Sequence, residues 1–259
     1  MDDLLASAIA AARLARGIHL YYQEKGFAVD TKTGPTDLVT QADREAEAAV
    51  KAFLLERYPD HAFLGEEGGQ DHEAEYRWIV DPLDGTVNFA HRFPFFAVSI
   101  GLEVRGRLEL GVVLDSTRDE LFWAVRGRGA FLNGRPLRVS ATDRLIGSLL
   151  ATGFPYDVNQ DRENLVYFER ALEHGLTVRR PGAAALDLCY VAAGRLDGFW
   201  EVKLKPWDVA AAVVIVEEAG GRVTGLAGEP YALGNRYIVA SNGRIHAEMI
   251  AALFEGASG

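Results

Sequence analysis

From Ala62 to Val139 the chain is a succession of short apolar runs cut by turn residues: "AFLG", "RWIVD", "FAVSIGLEV", "LELGVVLD", "ELFWAV" and "FLNGRPLRV". Such runs favour extended backbone, and Asn133-Gly134 in the last of them is a strong hairpin signal. Ahead of them, residues 2–24 carry Leu4, Leu5, Ala8, Ile9, Ala12 and Leu20 at helical spacing, up to Gly26. A second helix begins near Thr40, whose hydroxyl can cap it, and ends near Pro59. The first half therefore predicts a helix pair followed by a mostly antiparallel sheet.

After about residue 141 the pattern changes. Helices over roughly 160–173, 183–193, 207–219 and 243–254 alternate with "SLLAT", "LTVRR", "DGFWEV", "GRVTG" and "YIVAS". No Ser/Pro-rich linker, repeat or low-complexity segment interrupts the chain. These features predict an α+β protein of two joined lobes, an N-terminal α+β lobe over 1–140 and a C-terminal α/β lobe over 141–259. A cleft between lobes is a favoured place for a small-molecule site.

Charge and composition narrow the functions. A net charge of -10 argues against direct nucleic-acid binding, which needs a positive surface for phosphates. It would also repel a phosphate ester unless something local reverses the sign. The single Cys189 excludes an internal disulfide and a cysteine zinc site, which suits a reducing compartment. No secretory signal is visible at Met1-Asp2-Asp3, and "VAAAVVIV" is too short to span a bilayer. A cytoplasmic location without membrane attachment is predicted.

The chemistry concentrates in "WIVDPLDGTVNF", where a buried strand runs into Asp81-Pro82 and Asp84-Gly85. Each dipeptide alone is an ordinary turn signal. The company is not ordinary. "GEEGG" supplies Glu66 and Glu67, "KPWDVAA" supplies Asp208 at a helix start, and "DLVTQAD" supplies Asp37 and Asp43. Two like charges about 4 Å apart repel by roughly 4 kcal/mol at an effective dielectric of 20. Carboxylates so gathered, facing a phosphate, require cations, and magnesium prefers oxygen ligands. Gly85 permits close backbone approach, and Thr86-Val87-Asn88-Phe89 can open a short helix whose amides suit a phosphate. Thr86 also offers a hydroxyl to a metal-held water. Cys189, the histidines and Trp123, Trp200 and Trp207 read as structural residues, and Arg179 and Arg180 as phosphate-binding or interface residues.

At these residues the chain resembles the inositol monophosphatase family of magnesium-dependent, lithium-sensitive phosphatases. "DPLDGTVNF" is similar to its first signature and "PWDVAAAVVIVEEAGG" to its second. "GEE", "DLVTQAD", "HRFPFFAVSIG", "GRGAFLNG" and "RRPGAAALDL" follow in the family's order. The resemblance implies a layered α/β/α/β/α sandwich of the sugar-phosphatase type with the site between the lobes. It implies Glu66, Asp81 and the Leu83 carbonyl as ligands of one magnesium, and Asp81, Asp84 and Asp208 as ligands of a second. A third, weaker ion is implied near Glu66. Asp43 and Thr86 then orient and deprotonate the attacking water, with Glu66 beside them. Gly85 and Thr86 hold the phosphate, and Asp84, Ala184 and Glu201 meet the substrate ring. Lys32 and Glu67 match active-site loop positions.

Implied substrates are small phosphorylated polyols or sugars, inositol 1-phosphate first. Fructose 1,6-bisphosphate is an alternative, since Val87-Asn88 follows the Asp-Gly-Thr where other relatives carry Lys. Ala183 stands where bacterial relatives often have Ser. A homodimer is the family habit, and a regulatory role with the transcription machinery is a further alternative.

Overall fold

The computed structural model describes residues 1–31, 37–70 and 72–255. Helix α1 (Asp2–Lys25), the strand pair β1 (Val29–Thr31) and β2 (Leu38–Thr40), and α2 (Gln41–Arg57) open the chain. Then follow β3 (Ala62–Gly65), β4 (Gly69–Gln70), β5 (Tyr76–Asp84), the short α3 (Thr86–Ala90), β6 (Ala97–Val104), β7 (Arg107–Asp115), β8 (Glu120–Val125), β9 (Ala130–Leu132) and β10 (Arg135–Pro136). The remainder is β11 (Leu149–Thr152), α4 (Glu163–Glu173), β12 (Thr177–Arg179), α5 (Ala184–Ala192), β13 (Gly198–Val202), α6 (Pro206–Glu218), β14 (Arg222–Thr224), β15 (Tyr237–Ser241) and α7 (His246–Phe254). Among the described residues no helix is long and apolar enough to cross a membrane.

One sheet of eight strands runs β10-β9-β8-β7-β6-β5-β3-β4, and another of five runs β12-β11-β13-β15-β14. In the larger sheet only β3 and β5 run parallel. In the smaller, β11 lies parallel to β12 and β13, while β15 is antiparallel to β13 and β14.

Side-chain alternation along the strands builds the layers. Trp78, Val80, Val98, Ile100 and Val112 pack against Ala8, Ala11 and Ala15 of α1 and Ala46, Val50 and Leu54 of α2. The opposite face, with Ile79, Ala97, Val113 and Phe122, packs against α5 and α6. The same two helices receive Ala151, Phe199 and Ala240 from the smaller sheet. Its far face, with Leu150, Trp200 and Val239, is closed by α4 and α7. The layers are therefore helix, sheet, helix, sheet, helix, as the resemblance implied. Helix α6 is apolar on all sides because it is sandwiched, with Val209–Val216 at most 4% exposed.

The α6 contact depends on two glycines. Gly101 of β6 and Gly111 of β7 are cross-strand partners facing α6. A Cβ on Gly111 would stand 2.1 Å from the Ala211 carbonyl oxygen, and one on Gly101 would stand 2.9 Å from Ala210 Cβ. Backbone thus meets backbone there.

The turn expected at Asp81-Pro82-Leu83-Asp84 is instead the end of β5. Asp81 pairs with Ser99 and Asp84 with Ala97, so β5 carries one residue more than β6 over this interval. Such a bulge accommodates Pro82, which has no ladder donor. The antiparallel pair β1–β2 was not foreseen, being only three residues long on each side with an exposed first strand.

Candidate active site

The bulge explains how two carboxylates three residues apart can serve one place. In a regular strand, residues i and i+3 point to opposite faces. The extra residue restores the phase, so Asp81 and Asp84 turn toward the same seam beside the middle helices. Both are buried. Asp81 Oδ1 accepts a hydrogen bond from the Leu83 amide at 3.0 Å. Asp84 Oδ2 accepts one from the Ala185 amide at 2.8 Å, at the N-terminus of α5.

Other element ends arrive at the same seam. Asp208 is the third residue of α6, and its Oδ2 accepts from the Lys205 amide at 2.7 Å. Glu201 lies on β13 in phase with Phe199, which faces the middle helices. Glu66 and Glu67 form the turn between β3 and β4, which pair through Leu64–Gln70 and Gly65–Gly69. Ala184 is the first residue of α5.

Asp43 is fully buried in the first turn of α2. Its Oδ2 accepts from the Thr40 amide at 2.7 Å and the Thr40 hydroxyl at 2.6 Å. Its Oδ1 accepts from Thr86 Oγ1 at 2.8 Å. Thr86 Oγ1 also lies 3.0 Å from the Leu83 carbonyl. The Thr40 cap anticipated from sequence is present, but Asp43 is no solvent-facing helix residue. Gly85 adopts φ 89°, and a Cβ there would meet the Phe95 carbonyl at 3.0 Å and Ala183 Cβ at 3.2 Å. Only glycine meets both demands. The residues 86–90 form the short helix expected there. Lys32 lies outside the described residues.

Electrostatics marks the seam. Burial raises the Asp81 carboxyl well above the usual carboxylate range, and Glu66, Asp84 and Asp208 push it further. Asp84 and Asp208 are raised by burial and by Glu66, against the amides they accept from. Burial brings Glu201 to about 8, with Asp208 and Asp84 adding repulsion. Asp43 is pushed up to about 6 by burial, held back by Thr40 and Thr86. These carboxylates therefore lie within reach of one another's charge, in a place where little positive charge answers them.

Among the described residues no three His, Cys, Asp or Glu side chains form a ready-made metal cage. Asp81, Asp84 and Asp208 each hold a backbone amide instead. The donor set nevertheless fits a hard divalent cation: it is all oxygen, dense in carboxylate and poor in cations.

Several residues that shape the seam were not foreseen. Buried His19 of α1 shares a hydrogen bond with Ser116 Oγ at 2.8 Å through Nδ1 and donates from Nε2 to the Pro82 carbonyl at 2.9 Å. It ties the first helix to the bulge. A lone histidine on an apolar helix face carries no sequence signal for such a link. His91, read as structural, is exposed. Asn88 Nδ2 donates to the Phe95 carbonyl at 2.8 Å and the Pro181 carbonyl at 2.9 Å, joining α3 to the approach of α5. Gly153 makes room for Glu201, since a Cβ there would stand 2.3 Å from both carboxyl oxygens. Glu47, one turn beyond Asp43, accepts the Glu67 amide at 2.8 Å. Its i+4 spacing from Asp43 was a legible sign of a shared helix face. Cys189 is buried, as expected, and burial pushes its thiol up, away from reactivity.

A layered sandwich with acidic side chains converging on its central seam is the architecture of a sugar-phosphatase-type hydrolase. The model of the inositol monophosphatase family matches residues 1–258, and the chain belongs to that family. It is a phosphatase of a generally magnesium-dependent family that acts on phosphorylated polyols. Similar curated proteins carry two kinds of name. One, from Synechocystis, is named inositol-1-monophosphatase and is 48% identical over 89% of this chain and 79% of its own length. Another, from Pseudomonas aeruginosa, is named Nus factor SuhB and is 47% identical over 93% of this chain and 92% of its own. The crystal structure of the extragenic suppressor protein suhB from Bartonella henselae superposes with a TM-score of 0.92 at 41% identity, covering 98% of this chain and 99% of that one.

Proposed function

We propose that this chain hydrolyses a phosphate monoester of a small polyol, inositol 1-phosphate foremost, with magnesium as its cofactor. Glu66, Asp81 and the Leu83 carbonyl would hold one ion, and Asp81, Asp84 and Asp208 a second, with a weaker third beside Glu66. Bound magnesium would supply the missing positive charge, acidify a coordinated water and steady the departing alkoxide oxygen.

The observation that carries this reading is the hydrogen bond from Thr86 Oγ1 to Asp43 Oδ1, 2.8 Å long, beside the buried carboxylates. With its proton directed to Asp43, the Thr86 oxygen keeps a lone pair for a water on its other side. Asp43, raised to about 6, is ionised at neutral pH yet basic enough to receive a proton relayed through Thr86. Thr40 occupies the other oxygen of Asp43, so Oδ1 is the one free to act. The amides of Gly85 and Thr86 would cradle phosphate oxygens, while Asp84, Ala184 and Glu201 meet the hydroxyl-bearing ring. Water attacks phosphorus in line, with no covalent enzyme intermediate; positioning and charge stabilisation do most of the work.

The test is phosphate release from inositol 1-phosphate with and without magnesium. Release that needs magnesium, and that disappears in Asp84→Asn while the fold persists, is the expected outcome. Turnover by Asp84→Asn, or indifference to magnesium, would refute the reading. Comparing kcat/KM with fructose 1,6-bisphosphate decides between polyol and sugar-bisphosphate preference. Action in the cytoplasm as a homodimer belongs to the same proposal, the latter testable by sedimentation.

A second role rests on the relative named as a Nus factor. We propose that the chain also associates with the transcription machinery, independently of catalysis. Asp84→Asn protein should then capture RNA polymerase components as wild type does; failure of both would remove this role.

A further inference from the structure

The turn that carries Glu66 and Glu67 is short, glycine-framed and mostly polar. One buried side chain reaches it from below. Glu47 is 6% exposed on the inner face of α2, four residues after Asp43. Its Oε2 accepts the Glu67 amide at 2.8 Å, and the Gly68 amide also donates to its carboxyl group.

The two flanking glycines leave space for that carboxyl group. A Cβ on Gly65 would stand 2.3 Å from Glu47 Oε2, and one on Gly68 would stand 2.9 Å from Glu47 Oε1. Both oxygens are thus enclosed by backbone that has no side chain. A carboxylate buried without a cation costs free energy unless it accepts strong hydrogen bonds. Burial raises the pKa of Glu47, while the two amides stabilise its ionised form. Glu47 is anchored at the other end by α2, which also presents Asp43.

We propose that Glu47 is a positioning residue: by gripping the amides of Glu67 and Gly68 it fixes the turn so that Glu66 is presented to the magnesium site. The inference rests on the assignment of Glu66 as a metal ligand. One rigid helix would then set both the proton-accepting carboxylate and, through Glu47, the metal-holding turn. Partners that orient metal ligands typically cost roughly 10–100-fold in metal affinity when removed.

The experiment measures magnesium binding twice, by calorimetry without substrate and as the half-saturating concentration for phosphate release. Glu47→Ala should weaken both by about tenfold or more. The loss in kcat at saturating magnesium should be the smaller effect. Glu47→Gln keeps one acceptor but turns a donor toward an amide, so it should fall between Glu47→Ala and wild type. Gly68→Ala supplies a variant without any change of charge. Its methyl group meets only Glu47, so it should weaken magnesium binding in the wild-type background and have no effect in the Glu47→Ala background.

Unchanged magnesium affinity in folded Glu47→Gln and Gly68→Ala, while wild type requires the ion, would overturn this inference and leave the assigned function standing. A wild-type protein that neither binds magnesium nor needs it would overturn both. Should Glu47→Ala fail to fold, Gly68→Ala and Glu47→Gln still decide the matter.

Discussion

The same substitution, glycine to alanine, should have opposite consequences at two positions, and the reason lies in the α6 contact. At Gly111 the added methyl carbon would lie 2.1 Å from the Ala211 carbonyl oxygen, 2.7 Å from its carbonyl carbon and 2.8 Å from its Cα. Ordinary contacts between such atoms are about 3.5 Å. Helix and strand must therefore separate by about 1 Å, because no flexible side chain can move aside instead. At neighbouring Gly101 a Cβ would stand 2.9 Å from Ala210 Cβ, so tilting α6 toward β6 offers little escape. Overpacking of this kind costs about 1–3 kcal/mol, and a backbone collision belongs at the upper end. At roughly 2–4 °C per kcal/mol for a chain of this size, the melting temperature of Gly111→Ala should fall by about 6–12 °C.

Gly17 lies within α1 on ordinary helical backbone, and a methyl group there would meet nothing within 4 Å. Gly17→Ala should therefore stabilise, by about 0.5–1 kcal/mol. The displacement in Gly111→Ala also reaches function, since α6 carries Asp208 in its first turn. A shift of about 1 Å in a ligand-bearing element can cost on the order of 100-fold in rate. Thermal unfolding by circular dichroism and magnesium titration of phosphate release measure the two effects. If Gly111→Ala melts with wild type and titrates alike, the argument that backbone contact seats α6 is wrong.

Gly153→Ala drives a methyl group into the space of both Glu201 oxygens and should raise KM for inositol 1-phosphate about tenfold, with magnesium half-saturation little changed. An unchanged KM would remove Glu201 from the substrate site. Burial lowers His19 to about 4, so the folded protein holds it neutral; its contribution is intact above the unfolded value near 6.5 and declines as pH falls toward 4. Relative to His19→Asn, wild type should lose about 2 kcal/mol more stability between pH 7 and pH 5, read by urea denaturation at each pH. Asp81→Asn should abolish turnover yet raise the melting temperature in metal-free buffer, because it keeps the Oδ1 acceptor for the Leu83 amide and removes a carboxyl group whose ionisation is opposed by burial and by Glu66, Asp84 and Asp208. A lowered melting temperature would show that charge repulsion there does not limit stability.

Much of the architecture was legible because local signals and tertiary demand agree. The helix read over 207–219 is Pro206–Glu218, and the run "ELFWAV" is the whole of β8. The motif carboxylates were legible too, since acidic residues at element ends stand out against apolar runs. What could not be read was phase. Asp-Pro-x-Asp-Gly scores as a turn by dipeptide, and only pairing with β6 reveals a strand whose bulge aligns Asp81 with Asp84. Glu47, His19 and Gly153 act through partners distant in sequence, and their residue types are ordinary where they stand.

The seam illustrates why its acids stand at the ends of elements. Inside a sheet or helix, a carboxylate on the middle-layer face would be enclosed by Val113, Phe199 or Val214, without a donor for its lone pairs. Where the regular ladder stops, free backbone amides become available: Leu83 within the bulge, Ala185 opening α5 and Lys205 preceding α6. Each donates to a carboxylate oxygen of the seam. Two glycines bring α6 close enough for Asp208 to join them, and a third lets Glu201 occupy the far wall. The packing of the middle layer and the placing of the acids are therefore one problem, so substitutions remote from the seam, such as Gly111→Ala, should register in metal binding as well as in stability.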